Sequence, residues 1–114
     1  MSDPSCIFCR IVAGEIPATV IARTEQALAF RDLHPQAPSH LLVIPTRHVD
    51  SLATAEDAVE LGAVLSLAAE VAKSEGLADG GYRVVTNIGA DGGQTVQHLH
   101  FHVLGGRQMH WPPG

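Results

Sequence analysis

No stretch of this sequence stays apolar for the ~18 residues that a membrane-crossing helix needs, although hydrophobic residues make up 46 % of it. No membrane partner is therefore expected. Basic residues are also scarce. Seven Lys and Arg stand against twelve Asp and Glu, a formal net charge of −5, and a grip on a nucleic-acid backbone needs clustered cations. Nucleic acid is therefore not an expected partner. A small anion is not excluded, because backbone N–H groups bind one through local geometry rather than net charge. Cysteine occurs only at Cys6 and Cys9, and the opening Met-Ser-Asp-Pro has no basic segment leading into an apolar one. Both point to a cytoplasmic protein with reduced thiols. There is no repeat, low-complexity tract or linker, and 114 residues suit one domain, taken as residues 1–114.

The segments that are present suggest an α+β fold with an antiparallel sheet. Cys6 to Val12 can form a short helix ending near Gly14. Extended runs are expected at Ala18–Ala22, Ala27–Arg31, Leu41–Ile44 (stopped by Pro45), Tyr82–Asn87 and Gln97–Leu104. Leu33 to Ser39 reads as a loop, since Pro35 and Pro38 each remove a backbone donor. One long helix is indicated by Leu61, Val64, Leu65, Ala68, Val71 and Ala72, which share a face at 3.6 residues per turn. Thr54 with Asp57 can cap its start, and Gly76 can end it. The helices are grouped rather than alternating with strands, which argues against a parallel sheet.

The segment that carries chemistry is His98-Leu99-His100-Phe101-His102-Val103. On one strand its three histidines would share a face, leaving Leu99, Phe101 and Val103 to pack on the core. Three solvated histidines, a metal site with an open position, or nucleophilic and acid–base chemistry all fit this pattern. The preceding Asn87-to-Thr95 stretch is rich in glycine and has no Lys or Arg. Glycine lets backbone N–H groups converge on an anion, while Asn87, Gln94 and Thr95 add polar side chains beside Gly93. Donors next to histidines suit a phosphorus centre better than a metal-bound water.

The segment Asp91–Gly114, with the three histidines at its centre and Gly105-Gly106-Arg107-Gln108-Met109-His110-Trp111-Pro112-Pro113-Gly114 at its end, resembles the histidine triad superfamily. It is similar in particular to the Hint branch of histidine triad nucleotide-binding proteins and purine nucleoside phosphoramidases. The likeness continues upstream through Gly14-Glu15-Ile16-Pro17-Ala18 and Ser39-His40-Leu41-Leu42-Val43-Ile44-Pro45. It implies a five-stranded antiparallel sheet with two helices, pairing to a ten-stranded sheet in a homodimer. It implies a purine nucleotide-binding hydrolase or transferase acting on purine nucleoside monophosphate conjugates. On this resemblance His100 is the nucleophile, the His98 carbonyl fixes its tautomer, His102 contacts the phosphate and His40 supports the network. Thr95 stands where the family commonly has serine. Asp32 matches the ribose-binding acid, with Leu33 beside it, and Ile7, Phe8, Ile11, Ile16 and Phe30 match the slot around the purine. Gln97 occupies a position that is often aromatic.

The Cys6-x-x-Cys9 pair is open to three readings: half of a zinc site, a redox pair, or two small buried residues. The β-α-β setting of a redox pair is absent. Mostly bacterial members of the family that carry the same pair imply a structural Zn²⁺ site completed by His48 and His98. Two rival functions remain: a nucleotide-binding module whose role is protein interaction, and a hydrolase whose triad itself holds the metal. Retention of all three histidines favours catalysis over binding alone.

Overall fold

A computed structural model describes residues 2–114. Its elements run α1 (Ile7–Val12), β1 (Val20–Arg23), β2 (Ala27–Arg31), β3 (Ser39–Pro45), a 3₁₀ turn (Leu52–Thr54), α2 (Ala58–Ser74), β4 (Tyr82–Val85) and β5 (Phe101–Gly105). The five strands form one sheet in the order β1-β2-β3-β5-β4, and every neighbouring pair is antiparallel. The expected α+β class, five-stranded sheet and two helices are all present. No helix among the described residues is long and apolar enough to cross a membrane.

Alternation along the strands assigns the two faces of the sheet. Ala27, Ala29, Leu41, Val43, Phe101 and Val103 point to one side, where they form a core with Val64, Leu67, Ala68, Val71 and Ala72 of α2. Leu28, Phe30, Leu42 and Ile44 point to the other, where they pack with Cys6, Phe8 and Cys9 of the N-terminal segment. With both faces covered, β3 is buried at every position after Ser39, which explains why it reads as a continuous apolar run. Full burial of a side chain such as Val64 or Val71 contributes about 1.5–3 kcal/mol. His40 on β3 and His102 on β5 have the same parity as Leu42, so both histidines lie on the face away from α2.

Both helices close with the same device. In α1 the Gly14 N–H bonds the Ile11 carbonyl at 3.0 Å and the Glu15 N–H bonds the Arg10 carbonyl at 2.9 Å. Gly14 sits at φ +78°, so glycine relieves the strain of the left-handed turn. In α2 the equivalent bonds run from Gly76 to Lys73 and from Leu77 to Ala72, at 3.1 and 2.9 Å.

Several expected details differ. Thr54 does not cap α2. Its hydroxyl closes a capping box with Ser51 on the 3₁₀ turn, and Asp57 itself caps α2 by accepting from the N–H groups of Val59 and Glu60. Leu65 is 45 % exposed, and Leu67 takes its place in the core. The buried face is centred on Glu60, Val64, Leu67, Ala68, Val71 and Ala72, with Glu60 held by Arg47 through two bonds of 2.8 and 3.1 Å. The first strand begins later than expected and β4 stops at Val85.

The largest correction concerns the last strand, which begins at Phe101 rather than Gln97. The three histidines therefore do not share one strand: only His102 belongs to β5. Val43 pairs with Phe101, so continuing the ladder would bring Pro45 into play. Proline has no N–H to donate, and the Pro45 carbonyl is already engaged by His98 Nε2 at 3.0 Å. The ladder ends there, and the chain bends through residues 96–98.

Candidate active site and metal centre

On the face away from α2 lies a cavity of about 320 Å³. Its wall includes Ile7, Phe8, Ile11, Ile16, Phe30, Asp32, Leu33, Thr95, His100 and His102, all of which the sequence had nominated. Phe8 stands edge-on to both Phe30 and His100, with ring centroids 5.6 and 5.2 Å apart. Strand β2 delivers Phe30 and leads into Asp32, and α1 supplies the opposite apolar wall. A more voluminous groove of about 550 Å³ runs between the β1–β2 turn and α2. It gathers Glu25 and Glu70 but no histidine or cysteine, so no chemistry is assigned to it.

The hydrogen-bond partners fix which ring nitrogens carry protons. His100 Nδ1 lies 2.7 Å from the His98 carbonyl. A carbonyl can only accept, so Nδ1 carries the proton and the neutral ring keeps its lone pair on Nε2. His40 Nδ1 accepts from the Gln36 N–H at 3.0 Å, which places the His40 proton on Nε2. That nitrogen lies 2.9 Å from His102 Nδ1 and 3.4 Å from Asp32 Oδ2. His102 Nδ1 faces a donor and must accept, so the His102 proton resides on Nε2. The cavity therefore holds one imidazole with a lone pair at Nε2 beside another with an N–H at Nε2. Burial pushes His102 down to about 4, assisted by the neighbouring His100 and His40 rings. Burial also lowers His40, against the opposing pull of Asp32. Both are neutral at pH 7.

Asp32, His40 and His102 lie close enough to be considered as metal ligands. Their ring nitrogens are instead joined donor to acceptor, so this cluster is a hydrogen-bonded chain.

Asn87, Gly93 and Gln94 are not in the cavity wall. Asn87 Nδ2 donates to the Gly92 carbonyl, while Gln94 Nε2 donates to the Asp50 and Val96 carbonyls and its Oε1 accepts from the Gly89 N–H. The N–H groups of Gly93 and Gln94 bond the Ala90 and Gly89 carbonyls. The expected anion cradle is thus a self-braced turn that leads into Thr95, which lies exposed on the cavity wall. A Cβ at Gly92 would collide with the Ile88 backbone, which explains one glycine there sterically.

A second cluster sits behind the cavity. Cys6, Cys9, His48 and His98 bring their ligand atoms within 4.8 Å of one another. Cys6 Sγ is 3.3 Å from His98 Nδ1, and Cys9 Sγ is 3.2 Å from His48 Nδ1 and 3.5 Å from His98 Nδ1. Tetrahedral zinc with ordinary Zn–S and Zn–N bonds has S···N edges of about 3.5 Å, so the donor set fits. The outer ring nitrogens agree. His98 Nε2 donates to the Pro45 carbonyl, and His48 Nε2 donates to Asp50 Oδ1 at 2.8 Å. Both rings present a bare Nδ1 inward, as second-shell bonds to metal-binding histidines do. Burial holds His98 down at about 4 and raises the Cys9 thiol.

Residues 13–109 match the HIT domain model. The chain is 52 % identical over 118 residues to a 14 kDa zinc-binding protein of Zea mays, covering 100 % of this chain and 91 % of that protein. Among solved structures it superposes on a HIT family hydrolase from Legionella pneumophila with a TM-score of 0.94 and 50 % identity, covering 96 % of this chain and 100 % of that one. A histidine triad protein from Clostridium difficile follows at 0.92 and 42 %, covering 96 % of each. The chain belongs to the HIT family.

Within this HIT domain, sequence reading missed Pro17, Ala18, Arg31, His34, Leu42 and Val96, which also line the cavity. Leu42 was accessible from parity, since it shares a face with His40. Pro45 and Asp50, which orient the metal-type histidines, gave no signal, because one acts through a main-chain carbonyl and the other as a lone surface carboxylate. Gln97 is exposed outside the cavity wall, and nothing in the structure explains its replacement of an aromatic residue.

Proposed function

We propose that this HIT domain is a purine nucleotide-binding hydrolase of the nucleoside phosphoramidase type, as in the Hint branch, acting through a covalent nucleotidyl-histidine intermediate. The observation that carries the reading is the His98 carbonyl on His100 Nδ1 at 2.7 Å, which leaves a nucleophilic Nε2 in a cavity with an apolar slot and a carboxylate. The purine would enter between Phe8, Ile11, Ile16 and Phe30. Asp32 Oδ1 accepts from the His34 N–H at 2.8 Å, and a carboxylate has further lone pairs for the ribose hydroxyls. His100 Nε2 then attacks the α-phosphorus, a P–Nε2 bond forms, and the P–N bond to the leaving group breaks as that nitrogen takes up a proton from solvent and departs as the neutral amine. Thr95, on the cavity wall, would donate to the phosphate or the leaving amine, and His102 Nε2–H to a phosphoryl oxygen. Water hydrolyses the intermediate and returns the lone pair to His100. Splitting one displacement into two lowers each barrier.

Cys6, Cys9, His48 and His98 would hold Zn²⁺. Four protein ligands leave no open position, so the ion supplies folding energy rather than an activated water. It would tie α1, the segment after β3 and the segment before β5 together. The maize relative is named for zinc binding, which supports zinc as the ion. The second copy of a homodimer would pair along β4, an outer strand of the sheet on which Tyr82 and Val84 are 38 % and 40 % exposed.

The deciding experiment is rapid trapping, without acid, of enzyme mixed with radiolabelled adenosine phosphoramidate. Label covalently bound to His100 supports the mechanism. Turnover with no label on any histidine overturns it.

A further inference from the structure

Hydrogen bonds run from the C-terminal tail to the cavity. Arg107 Nε and Nη2 both donate to the Gln36 carbonyl, at 3.2 and 3.0 Å. The Gln36 N–H donates to His40 Nδ1, and His40 Nε2 meets His102 Nδ1. One residue earlier, Gly106 at φ +90° brings the tail against Pro38, where a Cβ would stand 2.9 Å from the proline Cβ. The tail thus holds the loop before β3 at two points, and the residue it grips is the one whose N–H decides the His40 tautomer.

That tautomer matters. With Gln36 N–H in place, His40 must carry its proton on Nε2 and His102 must carry its own on Nε2. If the loop drifts, His40 can hold its proton on Nδ1 and accept from His102 Nδ1. His102 would then turn a lone pair, rather than an N–H, toward a phosphoryl oxygen, replacing attraction by repulsion. Asp32 Oδ2, 3.4 Å from His40 Nε2, favours the first arrangement but is too distant to enforce it alone.

We infer that Arg107 is a positioning residue: through Gln36 and His40 it holds His102 in the tautomer that donates from Nε2. The inference rests on the proposed function only for what His102 donates to. A purely structural role for Arg107, fastening the tail, makes a different forecast.

The test uses the zinc-loaded full chain labelled with ring-¹⁵N histidine at neutral pH, comparing the parent protein with Arg107→Ala, Arg107→Lys and Gly106→Ala. Ring nitrogen shifts should report Nε2–H for His40 and His102 in the parent protein. Arg107→Ala and Gly106→Ala should give mixed tautomers at both rings, and Arg107→Lys, which keeps one donor, should restore most of the parent pattern. Hydrolysis of adenosine phosphoramidate by Arg107→Ala should lose about tenfold in kcat with KM within about twofold, and the same change in a His40→Ala background should cost nothing further. Unchanged ring tautomers in Arg107→Ala would overturn the inference, with or without a lower melting temperature. So would a full additional loss in the His40→Ala background, or a raised KM with kcat intact. Should no phosphoramidate be turned over by the parent protein, the proposed function fails while the ring shifts still decide this point.

Discussion

His98 and His100 are two residues apart and opposite in kind. His98 donates from Nε2 to the Pro45 carbonyl and turns a bare Nδ1 toward two sulfurs. His100 donates from Nδ1 to the His98 carbonyl and keeps a bare Nε2 for the cavity. The same imidazole turns its lone pair toward the cysteines or toward the cavity according to which nitrogen a main-chain carbonyl claims. Residue type alone does not assign a role here; the position of one oxygen does. The two are also linked in series, since the carbonyl that orients His100 belongs to the residue whose ring faces the cysteines.

The sharpest way to break this comparison is to remove its cavity-facing half, the proposed nucleophile. His100→Gly should lower kcat by at least about a thousandfold while AMP affinity, read by calorimetry, stays within a few-fold. Breaking the other half is expected to act on folding. Cys6→Ser/Cys9→Ser should purify without zinc by elemental analysis and lose about 3–5 kcal/mol, or roughly 10–20 °C in melting temperature. Its turnover should fall only partly, through a looser His98 carbonyl. A double variant that melts with the parent protein would remove the structural role. A well-folded double variant whose activity is lost and returns only with zinc would favour metal-based hydrolysis.

Acid should expose the hydrogen-bonded chain. The folded-state value of His102 lies at about 4, below the ordinary 6.5 of the unfolded chain. The stability tied to its neutral form is complete above pH 6.5 and lost as pH falls toward 4, because only the unfolded chain takes up that proton. The ring's partial exposure keeps that contribution to at most a few kcal/mol, on the order of one per unit of pKa. The fall in melting temperature between pH 7 and 4 should therefore be smaller in His102→Gln than in the parent protein, measured by calorimetry. The mildest change is Thr95→Ala. Losing one donor to the phosphate or leaving group should cost about 10- to 100-fold in kcat, with melting temperature unaltered.

Much of this was legible in residue order. The parity of Leu28, Phe30 and Leu42 against Ala27, Ala29 and Val43 follows from strand period, and so does the burial of Phe101 and Val103 on the face opposite His102. Resemblance supplied the Cys6, Cys9, His48 and His98 grouping that the structure assembles. What stayed hidden depended on hydrogen-bond partners distant in sequence. Period-two alternation continues through Gln97 whether or not a ladder partner exists, so it could not reveal that Pro45 ends the pairing. A glycine-rich turn looks the same whether its N–H groups wait for an anion or are satisfied internally, as those of Gly93 and Gln94 are. Arg107 and Gln36 are 71 positions apart, and neither residue type announces the other.

Strand β3 also sets how this domain can change. Its alternate side chains enter two cores that do not mix: Leu41 and Val43 reach α2, while Leu42 and Ile44 reach the cavity side. The strand therefore acts as a partition between two nearly independent reservoirs of variation. Repacking Ala29, Val43 and Val64 can raise or lower the melting point with the ligand slot untouched, and reshaping Leu42 and Phe30 can alter what the slot accepts with the helix still seated. A lineage or a designer can adjust durability and ligand choice separately, one side chain at a time, on the two sides of this strand.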